Sequence, residues 1–405
     1  MTAMGSLNET PRAERVHIAF FGRRNAGKSS LTNAFAGHEV SLVSDVAGTT
    51  TDPVYKSMEL HGVGPCVLID TAGYDDEGML GQMRVDMTRK ILAETDAAIL
   101  LISSDTAPDD PLTPEREWAA AMKEHGTPVL CLLSRGDLCR NTEALKASVK
   151  EKLGLEAETV SVKDKGVTER LRLMLLRLLP EDCFATTIAS HLVKPGDVVL
   201  LVTPQDLQAP KGRLILPQVQ TIRDLLDGDC IVMCVKTEEL DGALAALRQP
   251  PAMIITDSQV FPEVWPKKPE GTLLTSFSVL MAAYKGDIRA FAQGARAVEK
   301  LNGSSRVLIA EACTHAPLEE DIGRVKIPRL LRKRFGESLQ VDMVSGKDFP
   351  ENLGQYDLIL HCGSCMFNRR YVLSRLAAAQ QAGVPMTNYG VFMAYMTGIL
   401  DKVTW

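Results

Sequence analysis

The sequence predicts an α/β protein: a first domain with a mainly parallel sheet, followed by two smaller α/β domains. Three observations point there. Apolar runs of strand length alternate with amphipathic stretches of helical length over most of the chain. The connections are long enough for the crossovers that parallel pairing needs, and three such series follow one another. At 405 residues, two to four domains can each bury a core of their own.

In the first series, residues 16–21, 65–70, 97–102 and 129–133 read as strands. Helices are expected to begin at Lys28, Leu80, Pro114, Glu143 and Val167. The run Pro180, Glu181, Asp182 is a plausible end. In the second series, residues 197–203, 231–236 and 252–257 read as strands, with helices over 219–226 and 238–247. It carries no phosphate loop, metal-ligand pattern or acid–base pair, and reads as a structural unit for assembly. Pro262, Pro266 and Pro269, with Lys267 and Lys268 between them, suggest a semi-rigid linker. The third series offers a helix over 288–301, a strand at 306–310 and a basic helix at 327–335. Strands at 339–344 and 357–360, a helix at 370–382 and an apolar helix from Val391 complete it. The expected domains are residues 1–180, 181–265 and 266–405.

Composition removes several function classes. Lys and Arg number 45 against 51 Asp and Glu, a formal net charge of −6, which disfavours a strongly basic nucleic-acid binder. No stretch approaches the 18 or so consecutive apolar residues of a membrane span. The first fifteen residues are polar and lack the apolar segment of a signal peptide, so a cytoplasmic protein is expected. Nine cysteines in such a chain do not suggest a disulfide framework.

The first chemical signal is Gly22, Arg23, Arg24, Asn25, Ala26, Gly27, Lys28, Ser29. It follows an expected strand and opens an expected helix, which is the setting of a phosphate-binding P-loop. Its backbone N–H groups, from Gly22 through Ala26 to Ser30, would form a nest for phosphate oxygens. Lys28 would reach the β- and γ-phosphates, and Ser29 would take Mg²⁺. Asp70, at the end of a strand, can hold the magnesium shell, and the Gly73 amide can sense a γ-phosphate. Thr50, in Gly48, Thr49, Thr50, Thr51, can complete that shell. Asp137, in Ser134, Arg135, Gly136, Asp137, can accept from the N1 and N2 donors of guanine, which adenine cannot match. Ser161 stands where a backbone amide would contact the base.

This series resembles the translation-factor-like GTPases, in particular the branch that includes Era and MnmE, over roughly residues 15–179. It departs where that branch usually reads Asn-Lys-x-Asp. Position 74 is Tyr rather than the water-orienting Gln of Ras-like switches, so slow unassisted hydrolysis is expected. The resemblance further implies that Asn25 goes with a K⁺ ion that stabilises transition-state charge. Asp76, in the run Asp75, Asp76, Glu77, is nearest the related water-orienting acid. Lys28, Asn25, Thr50 and Asp76 are thus the expected catalytic residues.

The second signal is Cys313, Thr314, His315, then, after 45 residues, His361, Cys362, Gly363, Ser364, Cys365. Random placement would produce a His-Cys-x-x-Cys about 0.003 times in such a chain. Both segments follow expected strands, and ligand sites of open α/β sheets form at the carboxyl ends of strands. Three thiolates with histidine suit tetrahedral zinc and an iron–sulfur cluster about equally. A [4Fe–4S] cube on three cysteines keeps one corner for histidine or an exchangeable ligand.

The whole order of a GTPase domain, a motif-free middle and Cys-x-His followed by His-Cys-x-x-Cys resembles the HydF family, the GTPases of [FeFe]-hydrogenase maturation. The resemblance implies that Cys313, Cys362 and Cys365 ligate a [4Fe–4S] cluster, with His315 or His361 near its open corner. It also implies a homodimer held by the middle domain, with further pairing of dimers left open. The family's role implies a scaffold that receives a di-iron precursor, built with the radical-SAM maturases HydE and HydG, and delivers it to apo-[FeFe]-hydrogenase. Arg369 and Arg370 are expected to counter the charge of a cyanide-bearing cluster. The basic run Arg324, Lys326, Arg329, Arg332, Lys333, Arg334 is either a solvated face or a dock for an acidic partner. Two rivals remain: an RNA- or ribosome-associated GTPase with a structural zinc, and a metal-delivery GTPase carrying a single ion.

Overall fold

The structure is a computed structural model, and it describes residues 10–36, 53–73, 79–138, 141–180, 187–205, 214–311, 322–364 and 366–405. They form two compact units, Met1–Ala185 and Thr186–Trp405.

In the first unit the chain runs β1 (Val16–Gly22), α1 (Lys28–Ala36), β2 (Val54–Leu60), β3 (Gly64–Asp70), α2 (Met79–Leu92) and β4 (Ala97–Ser103). It continues through α3 (Thr113–Glu124), β5 (Val129–Ser134), α4 (Thr142–Leu153), β6 (Ala157–Thr159) and α5 (Val167–Leu178). The sheet order is β2-β3-β1-β4-β5-β6, parallel except for β2, which runs antiparallel to β3. All seven residues of β1 are buried, because an inner parallel strand is covered on both faces and has no reason to alternate. The helices follow the 3.6 period: α5 buries Val167, Leu171 and Leu175 and stops before Pro180. Two strands escape a search for apolar runs. β2 is a half-exposed edge with Lys56 and Glu59 in it, and β6 has only three residues. The neighbours β1 and β3 divide the order, so their carboxyl ends flank a topological switch point, where open α/β sheets place ligands.

The second unit holds two four-stranded, wholly parallel sheets. The first contains β7 (Val198–Val202), α6 (Leu216–Asp227), β8 (Ile231–Val235), α7 (Leu240–Ala246), β9 (Met253–Thr256), α8 (Phe261–Val264), β10 (Leu273–Ser276) and α9 (Phe277–Lys285). The second contains α10 (Ile288–Arg296), β11 (Arg306–Glu311), α11 (Ile327–Phe335), β12 (Gln340–Ser345) and β13 (Leu358–His361). It ends with α12 (Arg369–Gln381), β14 (Met386–Asn388) and α13 (Tyr389–Met396). The orders are β10-β9-β7-β8 and β12-β11-β13-β14, the same topology built twice. One apolar cluster, including Phe261, Val279, Phe291, Leu308, Ile359 and Met386, joins them. Helix α10 lies so close to β14 that a Cβ on Gly294 would stand 2.0 Å from the carbonyl oxygen of Met386.

The expected boundary between residues 265 and 266 is corrected by this arrangement. β10 pairs with β9, so the middle sheet continues past it, and Phe261 and Val264 of the expected linker are fully buried. The prolines mislead because Pro262 and Pro266 stand in the first turns of short helices, where no N–H is needed. Among the described residues, no helix is long and apolar enough to cross a membrane.

Candidate functional site

At the switch point of the first sheet, β1 delivers Gly22 into the P-loop. A Cβ on Gly22 would stand 2.6 Å from the carbonyl oxygen of Leu101, so only glycine fits the approach to β4. Asn25 and Gly27 take positive φ values of 61° and 90°, the curvature that makes a backbone anion nest. Lys28 is buried, and its Nζ donates to the carbonyls of Gly22 at 2.8 Å and Arg23 at 2.9 Å. The ammonium is thereby held across the loop it would serve.

Beside it, the Asp70 carboxyl is pushed up from its ordinary pKa by burial, against the opposing pull of a hydrogen bond from Ser29 and the charge of Lys28. Its Oδ1 is buried with no hydrogen-bond partner. An orphaned buried carboxylate oxygen beside a hydroxyl is the donor chemistry of a Mg²⁺ site, so Ser29 and Asp70 fit that ion. Gly73, half-buried, lies three residues past the end of β3, and Ser30 is exposed on α1. Thr50, Tyr74 and Asp76 lie outside the described residues.

On the base side, Ser134 Oγ donates to the carbonyl of Ala26 at 2.7 Å, and the Arg135 guanidinium donates to that of Asn25 at 2.8 Å. The departure from Asn-Lys-x-Asp thus still ties this turn to the phosphate loop. Asp137 accepts from Lys163 Nζ at 2.7 Å and Ser161 Oγ at 2.9 Å, and these bonds hold its carboxyl below the ordinary range.

Arg23, inside the P-loop, is committed elsewhere. It makes a two-pronged pair with Glu115, at 2.7 and 2.8 Å, and also bonds Asp110 at 3.0 and 3.2 Å. Glu115 is only 1% exposed. Arg23→Met strips that buried carboxylate of both guanidinium bonds, and should cost about 3 kcal/mol, or about 6–12 °C in melting temperature. Adding Glu115→Gln should restore most of the loss in calorimetry. The Asp110 carboxyl is lowered chiefly by its bond to Arg23. Its contribution is therefore present at neutral pH and fades as pH falls below the ordinary carboxylate value of about 4.

The cysteine–histidine segments leave adjacent strands. β11 and β13 pair in parallel, with Ala310 opposite His361, and they flank the switch point of the last sheet. Cys313, His315 and Cys365 lie outside the described residues, which by themselves contain no group of three or more metal-ligating side chains. Cys362 is half-buried and in no disulfide, and its N–H donates to the carbonyl of Ala310 at 3.0 Å. Its carbonyl accepts from Asn388 Nδ2 at 3.2 Å, while Asn388 Oδ1 caps α13 through Gly390 N–H.

His361 is 1% exposed, and both ring nitrogens are engaged. Nε2 meets the Arg375 guanidinium at 3.0 Å, and Nδ1 lies 2.9 Å from the Cys362 carbonyl and 3.1 Å from Ser364 Oγ. A guanidinium can only donate, so Nε2 accepts and the proton sits on Nδ1. Burial, with the charge of Arg375 behind it, pushes the imidazole pKa down to about 3.

Arg369 donates to the carbonyls of Tyr284 and Gly286, both at 3.0 Å. These bonds tie Arg369 to the end of α9. In the basic run, Arg324 pairs with Glu311, Arg334 with Glu299, and Lys326 bonds Gln259. Arg375 was missed by sequence reasoning. The legible signal was a cation on the apolar stripe of α12, among Tyr371, Val372, Leu376 and Ala379, all buried.

Comparison with known proteins agrees with this anatomy. A family model described as a 50S ribosome-binding GTPase matches residues 17–135. The models of the hydrogen maturase F dimerization domain and tetramerization domain match residues 188–286 and 289–404, together more than half of the chain. The tRNA modification GTPase MnmE of a Synechococcus species is 34% identical over 185 residues, 43% of this chain and 39% of that protein. The GTPase Der of Wolinella succinogenes is 44% identical over 99 residues, 24% of this chain and 20% of its own. The chain thus spans about two fifths or less of these relatives. A crystal structure of Era from Aquifex aeolicus is 19% identical, covering 54% of this chain and 92% of that one, with a TM-score of 0.35. The chain belongs to the hydrogen maturase F (HydF) family of hydrogenase-maturation GTPases, and its N-terminal unit is a GTPase domain.

Proposed function

We propose that this protein is a GTP-hydrolysing scaffold that holds a [4Fe–4S] cluster on Cys313, Cys362 and Cys365 and carries a di-iron precursor to apo-[FeFe]-hydrogenase. The observation that carries the reading is the pairing of β11 with β13. The two cysteine motifs follow, in the sequence, neighbouring parallel strands that flank a switch point, within the domain matched by the HydF tetramerization model. The donor chemistry fits, since a half-buried thiol backed by buried cations suits an anionic centre. Once bound, the cluster would supply an iron corner to which the cargo or an outside ligand attaches. HydE and HydG are the maturases expected to build that cargo.

In the nucleotide site, Lys28 neutralises phosphate charge, Ser29 and Asp70 hold Mg²⁺, with Thr50 completing the shell, and Asp137 selects guanine. Gly73 would sense the γ-phosphate, and Asp76 would orient water. GTP does not make bonds at the cluster in this reading. It shifts docked and undocked populations, and a swing from 1:99 to 99:1 takes about 5.5 kcal/mol of differential binding. Assembly would use the β8 edge, where Ile231 is 57% exposed and lies in the sheet matched by the dimerization model, so a second copy would cover it.

The deciding experiment is anaerobic purification with iron and sulfide analysis and EPR, followed by loading with precursor and activation of apo-hydrogenase. Iron and activation are expected, whereas zinc without iron would favour the structural-zinc GTPase. A second measurement addresses Asn25 directly. Exchanging K⁺ for Na⁺ should slow GTP turnover by about tenfold, corresponding to about 1.4 kcal/mol of lost transition-state stabilisation. Equal rates in the two salts would remove Asn25 from potassium binding.

A further inference from the structure

Two cations are buried behind the Cys362 loop. Arg375, on α12, is 3% exposed, and Lys285, at the end of α9, is 2% exposed. Lys285 Nζ donates to the carbonyls of Ser364 at 3.2 Å and Phe367 at 2.9 Å, the loop's own backbone. Arg375 donates to His361 Nε2 at 3.0 Å and, each at 2.6 Å, to the Gly346 carbonyl and the Tyr371 hydroxyl. Its plane lies over the rings of Tyr371 and Phe349, 4.5 and 4.7 Å from their centroids. Among the described residues, every hydrogen-bond partner of Arg375 is neutral, and its Nε is buried with no partner.

The Cys362 thiol and the Asp348 carboxylate act on it through space. Burying a guanidinium whose hydrogen-bond partners are all neutral is expensive, and such an arrangement persists where an anion shares the cavity. Nothing in the fold of α12 asks for the charge, since its neighbours on the stripe are apolar or aromatic. Besides Asp348, the candidate is the centre held by Cys362, two bonds of the network away: Arg375 to His361 Nε2, then His361 Nδ1–H to the Cys362 carbonyl. Three thiolates make a [4Fe–4S] cluster net negative, and more so after reduction.

We propose that Arg375 and Lys285 are positioning residues that form a built-in counter-charge for the cluster. They hold the chain at His361, Ser364 and Phe367, and they raise the cluster's reduction potential by favouring the more negative, reduced state. His361 is the relay between Arg375 and the Cys362 loop, and is a strut rather than a ligand. The inference rests on the proposed cluster at Cys362. In the reduction one electron enters the cluster from dithionite, with no bond made or broken.

The test uses the full chain, purified anaerobically, as wild type, Arg375→Gln, Arg375→Lys and Lys285→Met. Iron and sulfide are measured first, then the midpoint potential by EPR-monitored titration with dithionite. Each charge-removing variant should shift the reduced-to-oxidised ratio at fixed potential about tenfold toward the oxidised form, that is about 59 mV for one electron. Arg375→Lys, which keeps the charge, should stay near the wild-type value. Wild type without iron would end the cluster reading itself. Wild type with iron, but with Gln and Met variants at the wild-type potential, would end only this inference. So would a Lys variant displaced as far as Gln. If Arg375→Gln fails to fold or to load, Lys285→Met decides on the same potential.

Discussion

Replacing Lys28 with alanine is expected to cut GTP turnover by about 10²–10³-fold, the usual effect of removing one positive donor from developing phosphoryl charge. The structure makes this residue hard to substitute. It is buried, and its ammonium is braced on the carbonyls of Gly22 and Arg23. That brace pre-orders the charge where phosphate oxygens arrive, so little reorganisation remains at the moment of reaction. Arg23 cannot take over by chain proximity alone. Arg23 is locked onto Glu115 and Asp110, and its pKa is raised by those bonds. Turnover above a tenth of wild type, in a variant that melts normally, would remove Lys28 from the reaction. Iron of the proposed cluster should be unaffected, since Lys28 packs in a separate unit from Cys362.

Replacing Cys362 with serine should do the reverse. Loss of groups behind a metal ligand already costs about 10–100-fold in affinity, and if Cys362 ligates the proposed cluster, loss of its thiolate removes a bond to iron, so iron and sulfide should fall at least about tenfold. The loop should keep its shape, because it is held by backbone. Cys362 N–H bonds Ala310, and the carbonyl is held by His361 and Asn388, none of which needs the sulfur. GTP turnover should stay within about twofold of wild type, as expected for independent sites. Full iron content in the serine variant would overturn the assignment of this residue.

The local chemistry was legible because it is contiguous. Gly22 to Ser29 states its function in eight residues, for a strand, a tight turn and a helix N-terminus are encoded by neighbours along the chain. Asp70 and Asp137 stand out in the same way, the first ending an apolar run and the second following one by four residues. The strands that went unseen, β2, β6, β10 and β14, are edges or only three to seven residues long. There, tertiary pairing outweighs local preference. The prolines near residue 265 were read as a boundary, whereas packing placed Phe261 and Val264 in a shared core.

The sequence by itself determined which chemical groups the chain offers: a phosphate loop with a strand-end carboxylate after it, and a set of thiols in two strand-end segments. Tertiary structure decided how those groups are supported. Register put Ala310 and Asn388 on either side of His361, and helix packing brought Arg375 and Lys285 to the same loop from positions 13 and 77 residues away from Cys362. Ligand motifs are short because bonded neighbours must stay near one another. Their electrostatic surroundings are assembled through space, where the order of residues along the chain carries little information.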